Sequence, residues 1–189
     1  MTANARPILE TERYRLRILT PADATPRYLG WLNDPQVTRY LESRHRPNGL
    51  DDIRAYITSH DGHAGFLLGI FTKTGEHVGN YSMRIDLPNA VGTLGVMIGD
   101  RDHWGRDVVL ETRAAMLHYA FETLRLHKVC GACLSTNLPA IYNYRRQGWA
   151  HEGIRREQAI GDGGSRVDVV MFGMLARDWR QRREMEQEK

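Results

Sequence analysis

Hydrophobic and polar residues first alternate over residues 12–19. There Tyr14, Leu16 and Ile18 oppose Arg13, Arg15 and Arg17, the period of a half-buried strand. Asp23 then reads as the cap of a helix carrying Tyr28, Leu29 and Trp31, and Asn33-Asp34-Pro35 restarts a short helix through Val37, Tyr40 and Leu41. A further helical face is built from Leu50, Ile53 and Ile57. From residue 64 the period changes to that of strands: 66–71, 78–85 and 93–98, joined by turns at Lys73–Glu76 and Leu87–Asn89, predict an antiparallel meander. Leu110, Ala114, Leu117, Phe121 and Leu124 then recur at helical spacing as one apolar stripe. A strand at 129–134 follows, then a helix capped by Asn137 with Pro139 in its first turn and Gly148 as its left-handed terminator. Strands at 149–158 and 166–175 close the order around Gly161-Asp162-Gly163-Gly164.

This order predicts one mixed α/β domain over residues 1–176 with helices on both faces of its sheet. Residues 177–189 mix both charge signs and read as a solvated helix or frayed end. The length of 189 residues suits one such domain. The 26 Lys and Arg against 23 Asp and Glu leave a net charge of +3, which is no nucleic-acid footprint but is compatible with a small anionic ligand. The start lacks the apolar core of a secretory signal, and apolar runs such as 66–71 have the length of strands rather than membrane spans, so a cytoplasmic protein without membrane partners is expected. Cys130 and Cys133 form a C-x-x-C pair, but in a strand residues three apart point to opposite faces. They read as small core residues rather than half of a metal site, and no metal is expected.

The chemistry concentrates in residues 94–149. A strand, Leu94–Ile98, feeds the turn Gly99-Asp100-Arg101-Asp102-His103-Trp104-Gly105-Arg106-Asp107 and a long helix, and the start of a helix is a ready anion site. Downstream, Asn137, Ala140, Ile141, Tyr144, Gly148 and Trp149 resemble the N-x-x-A-I-x-x-Y-x-x-x-G-F/W signature of the GNAT N-acetyltransferase superfamily. Ile98-Gly99-Asp100 with Trp104-Gly105 is similar to the entry of that superfamily's acetyl-CoA loop, in particular in the subgroup of ribosomal-protein-alanine and amino-sugar acetyltransferases.

The resemblance implies a mostly antiparallel sheet of about seven strands with a splayed parallel pair, 94–98 beside 129–134, that holds acetyl-CoA as co-substrate. It implies that backbone groups of Val96, Met97 and Ile98 pair with pantetheine and that the amides of Trp104, Gly105, Arg106, Asp107, Val108 and Val109 hold the diphosphate. Asn137, Ala140 and Tyr144 complete the cofactor set. The amide of Met97 would polarise the thioester carbonyl, and the phenol of Tyr144 would protonate the departing thiolate. The chain departs from the family pattern at Asp107 and Val109, where small residues are usual. Asp107 places a carboxylate near a diphosphate, or else caps its own helix while Arg106 supplies compensating charge. Thr93 stands where the family often has an acid, so the general base is open among Glu42, His103 and a water held by Asn80 or Ser82.

The resemblance also implies that residues 20–63 shape the acceptor pocket, and this stretch holds Trp31, Tyr40, Arg44, His45 and Arg46. Guanidinium groups suit a phosphate-bearing acceptor such as a nucleotide-linked amino sugar, and a protein N-terminus is the other acceptor the subgroup implies. A polyamine would want acidic walls. The expectation is direct acetyl transfer to a primary amine by a monomer or homodimer. The alternative is a catalytically weak or inactive acyl-CoA-binding protein of the same fold. A Rossmann oxidoreductase is excluded because no G-x-G-x-x-G follows the first strand.

Overall fold

The computed structural model describes residues 8–41 and 49–187. Its elements run β1 (Ile8–Glu10), β2 (Tyr14–Ile18), α1 (Pro26–Leu32), α2 (Pro35–Thr38), α3 (Leu50–Thr58), β3 (Gly65–Thr72), β4 (His77–Asp86) and β5 (Val91–Ile98). Then follow α4 (Val108–His118), β6 (Lys128–Leu134), α5 (Leu138–Arg146), β7 (Ala150–Ile160), β8 (Arg166–Leu175) and α6 (Ala176–Gln187). This is a mixed α/β fold of eight strands, one more than the alternation predicts, because β1 is too short to carry a period. Among the described residues no helix is long and apolar enough to cross a membrane.

The chain groups into two compact units. The first comprises the described residues up to Arg84 together with Gly95–Met116, and the second Ile85–Leu94 with the described residues from Leu117 onward. In the first unit the strands follow the order β1-β2-β3-β4-β5. The tight register sets β2 against β3 from Tyr14↔Thr72 to Ile18↔Leu68. Its core is a cluster that includes Leu19, Tyr28, Trp31, Ile53, Ile57, Leu67, Phe71 and Met97. Thr25, rather than Asp23, caps α1 by accepting the amide of Tyr28 at 3.3 Å. Asp23 instead sits in a 3-10 turn, where its carboxylate takes the guanidinium of Arg17 at 2.6 Å and the Thr20 amide at 2.7 Å.

In the second unit β5 continues the order as β5-β6-β8-β7, and β5 and β6 pair in parallel. That ladder covers three residue pairs, Val91↔Lys128, Gly92↔Val129 and Thr93↔Cys130, and ends there, although both strands run on. On its other edge β6 pairs with β8 from Lys128↔Leu175 to Leu134↔Val169. Cys130 and Cys133 lie on β6 and form no disulfide, and burial pushes the Cys130 thiol up.

Two expectations need correction. The stripe 110–114–117–121–124 is only in part the buried face of its helix: Leu117 and Phe121 are buried, but Ala114 is exposed, and Thr112, Arg113, Met116 and Ala120 share the core. Thr112 is accommodated inside because its hydroxyl bonds the Val108 carbonyl at 2.6 Å, and beyond α4 the chain passes into a π turn at Tyr119–Thr123, which shifts the period after residue 118. Second, of the two readings of the tail the helix is the one found, and α6 is mostly exposed but not wholly solvated. Its Trp179 is 7% exposed and packs on Phe121 with ring centroids 5.4 Å apart, while Arg180 pairs with Glu122 at 3.0 Å.

Candidate active site

Strand β5 enters the turn under close constraint. A Cβ on Gly79 would lie 2.3 Å from the carbonyl oxygen of Met97, so the backbones of β4 and β5 approach only because residue 79 is glycine. Gly99 is as tightly held, since a Cβ there would stand 2.1 Å from the ring of Trp31. The amides of Gly99 and Asp100 both donate to the Val78 carbonyl at 3.0 Å. Asp100 caps a 3-10 turn over Arg101–His103, accepting the Asp102 amide at 3.0 Å.

Beyond that turn the backbone takes two left-handed steps, Gly105 at φ 72° and Asp107 at φ 56°. The departure at Asp107 has a conformational reading: aspartate is among the few side chains that tolerate this region, so it holds the geometry a glycine would take. The Asp107 carbonyl accepts the first helical bond of α4, from Glu111 at 3.1 Å. The amides of the first helical turn, Val108 and Val109 among them, therefore have no partner one turn back. A Cβ at Gly105 would meet nothing within 4 Å, so the turn faces open space. The Trp104 amide is committed to the Arg101 carbonyl at 3.0 Å, and the Trp104 indole donates to the Ile98 carbonyl at 2.9 Å. One lone pair of the Ile98 carbonyl is thus already used. Val96 and Ile98 are half-buried, whereas the Met97 side chain is in the core.

In the second unit, Asn137 caps α5 as its position predicts, accepting the Ala140 amide at 3.2 Å, and Gly148 closes the helix at φ 75°. Tyr144 is 4% exposed and lies flat on Phe172, with ring centroids 4.5 Å apart and planes 12° from parallel. Trp149 meets the same ring edge-on at 5.0 Å. The phenol rests over Gly131 of β6, where a Cβ would come within 2.4 Å of Oη. Gly131, set between two cysteines, is the residue of this arrangement that motif reading passes over. A glycine in mid-strand is the signal that marks it.

The candidates for general base are differently placed. Glu42 lies outside the described residues, as do Arg44, His45 and Arg46. Asn80 is buried and donates its amide to the Tyr28 hydroxyl at 2.8 Å. The Ser82 hydroxyl stands 2.9 Å from where a Cβ on Gly95 would be, and Thr93 is exposed. His103 has Nδ1 3.5 Å from the Asp100 carboxylate and its ring edge-on to Tyr14. A second histidine, His77, is enclosed by Phe71, Trp31 and Tyr28. Burial pulls its pKa down to about 4, against a partial offset from its bond to the Gly79 carbonyl.

Residues 13–161 match the model of the acetyltransferase (GNAT) domain. The chain belongs to the GNAT acetyltransferase family. Sequence comparison with curated proteins finds no match. Among solved structures, a spermidine N-acetyltransferase from Vibrio cholerae in complex with CoA and spermine is similar at 19% identity and TM-score 0.79, over 88% of this chain and 98% of that one. A GCN5-related N-acetyltransferase from Brucella melitensis shares 20% identity at TM-score 0.78, over 99% and 86%. A GNAT-family acetyltransferase from Bacillus anthracis shares 18% at 0.76, over 90% and 99%. These likenesses are of fold. Membership makes the protein an acyltransferase that uses acetyl-CoA, and the turn fits that group: left-handed backbone at 105 and 107, an open face, and a helix start behind it.

Proposed function

We propose that this GNAT protein transfers acetyl from acetyl-CoA directly to the primary amine of a small molecule, with a nucleotide-linked amino sugar as the leading acceptor and a protein N-terminus as the second. The observation that carries the reading is the backbone of residues 105–107, which keeps a glycine-like path although the sequence there is not glycine-rich. That path favours a working acetyl-CoA turn over the alternative of a weak or inactive binding protein.

In this reading the amides of Gly105 to Val109 take the diphosphate, and backbone groups of Val96, Met97 and Ile98 take pantetheine. The Met97 amide polarises the thioester carbonyl, and Tyr144 delivers the proton that the departing thiolate needs. Asn137 and Ala140 enter through their motif positions. An amino group on a sugar has a lower intrinsic pKa than a lysine, so it reaches the neutral form with less help from a base.

Charge on the acceptor side supports an anionic or neutral acceptor over a polyamine. Each described carboxylate between residues 20 and 63 is already engaged: Asp23 with Arg17, Asp34 with Arg101, and Asp51 with Arg54. Asp52 accepts the Gly49 amide, and Asp61 accepts three amides from His63 to Gly65. The test is a panel of nucleotide-linked amino sugars, N-terminal peptides and polyamines incubated with acetyl-CoA, with thiol release and acetylated product both measured. Acetylation of an amino sugar is the expected result. Turnover of polyamines alone, or of no amine, would overturn the proposal.

A further inference from the structure

Two aspartates of the first unit have matching environments. Asp34 caps α2 with Oδ1, accepting the Gln36 amide at 2.8 Å, and turns Oδ2 to the guanidinium of Arg101 at 3.7 Å. Asp100 caps the 3-10 turn with Oδ1 and gives Oδ2 to the guanidinium of Arg27 on α1. Each carboxylate thus starts one helical segment and faces an arginine across from it: Asp34 the Arg101 of the turn, and Asp100 the Arg27 of α1. The two ion pairs run in opposite senses between α1–α2 and the turn that follows β5.

Apolar packing lies between them. Trp31 of α1 presses on Gly99, with the Arg27 guanidinium 5.9 Å from its ring. On the turn, Arg101 stands 5.7 Å from the ring of Trp104, whose indole is tied back to Ile98. The second aspartate is well enclosed, with 13% of its side chain exposed, while both arginines are about half exposed.

We propose that Asp34 and Asp100 are positioning residues that clasp the acceptor-side helices to the acetyl-CoA turn, so that acceptor and acetyl-CoA each bind to a turn the other has stiffened. The inference rests on reading residues 105–109 as the diphosphate site. Helices α1 and α2 fall within residues 20–63, which the proposed function assigns to the acceptor, and Arg101–His103 leads directly toward residues 105–109. Release of the clasp leaves the donors in place and loosens their spacing, which lowers affinity for both substrates and spares the chemical step.

The test uses Arg27→Gln, Asp34→Asn and the double variant, because neither residue touches the amides whose behaviour is read. A partly exposed ion pair is modest, so each single change is expected to speed hydrogen exchange at the Asp102–Trp104 amides about threefold and to raise both KM values about threefold. The double variant, with both braces gone, is expected to exceed about tenfold, with kcat at saturation within about twofold of wild type. High salt brings the wild type toward the variants. Unchanged exchange at Asp102–Trp104 in the double variant would overturn the clasp. So would lower kcat with both KM values unmoved, the signature of a merely structural loss. Gly105→Val tests the underlying reading separately: if it leaves the acetyl-CoA Kd unchanged, the turn is not the diphosphate site, whatever the exchange data say of the clasp.

Discussion

Substitution of Gly131 by alanine separates the packing of Tyr144 from its chemistry. The new methyl would stand 2.4 Å from Oη and 2.8 Å from Cε1 and Cζ, where an ordinary carbon contact is about 3.5–4.0 Å. The phenol must therefore move by about 1 Å. It has little room, since Phe172 covers one face at 4.5 Å and Trp149 closes an edge at 5.0 Å. Overpacking of this kind costs about 1–3 kcal/mol, and at this chain length each kcal/mol lowers Tm by about 2–4 °C. A displacement near 1 Å in a reacting group costs up to about 10²-fold in rate. Calorimetric Tm and steady-state kcat for thiol release, measured on Gly131→Ala, should both fall. The decisive comparison adds Tyr144→Phe to the same chain. Loss of the hydroxyl removes the closest clash, so the double variant should recover about 1 kcal/mol of the stability and none of the activity. Full kcat in Gly131→Ala, or activity regained in the double variant, would refute the placement of the proton donor at Oη.

Asp107→Val puts a β-branched side chain at φ 56° and should weaken acetyl-CoA binding by about tenfold or more in titration calorimetry, whereas Asp107→Asn, which tolerates that backbone, should bind at least as well as wild type. His77 is held neutral by burial, with its pKa depressed from 6.5 to about 4. The unfolded chain thus takes up the proton first, and stability is lost as pH falls from about 6.5 to 4. At pH 5 that loss is about 2 kcal/mol, and denaturant titrations of His77→Gln against pH should show a flatter slope through that window. Trp179→Ala should cost about 3–5 kcal/mol by the same measurement, the price of emptying a buried site on α6. A Tm unchanged by that substitution would mean that α6 is not docked.

Much of the fold and part of the site are legible in the sequence because they depend on local signals. Asn137, Pro139 and Gly148 mark the limits of α5 through capping chemistry, and the strands between 65 and 98 declare themselves by alternation and short turns. Features that depend on neighbours far along the chain are not legible. Trp179 is one aromatic in a charged segment and gains meaning only against Phe121. Thr112 and Arg113 carry no apolar mark, so the apolar stripe finds Leu117 and Phe121 but misses these two buried neighbours. Asp107 reads as a defect until its φ is known, and the pairing of Asp100 with Arg27 spans 73 residues. Gly131 is hidden by the two cysteines that flank it, which draw attention to metal chemistry instead.

The central claim, acetyl-CoA-dependent transfer with Tyr144 as the proton donor, is tested most directly by Tyr144→Phe. Its kcat for thiol release under saturating amine and its acetyl-CoA Kd are measured on the same preparation. The account predicts a fall in kcat of about 10²-fold or more with Kd within about twofold of wild type, because one hydroxyl is lost and no backbone donor moves. An unchanged kcat across the pH range would contradict it.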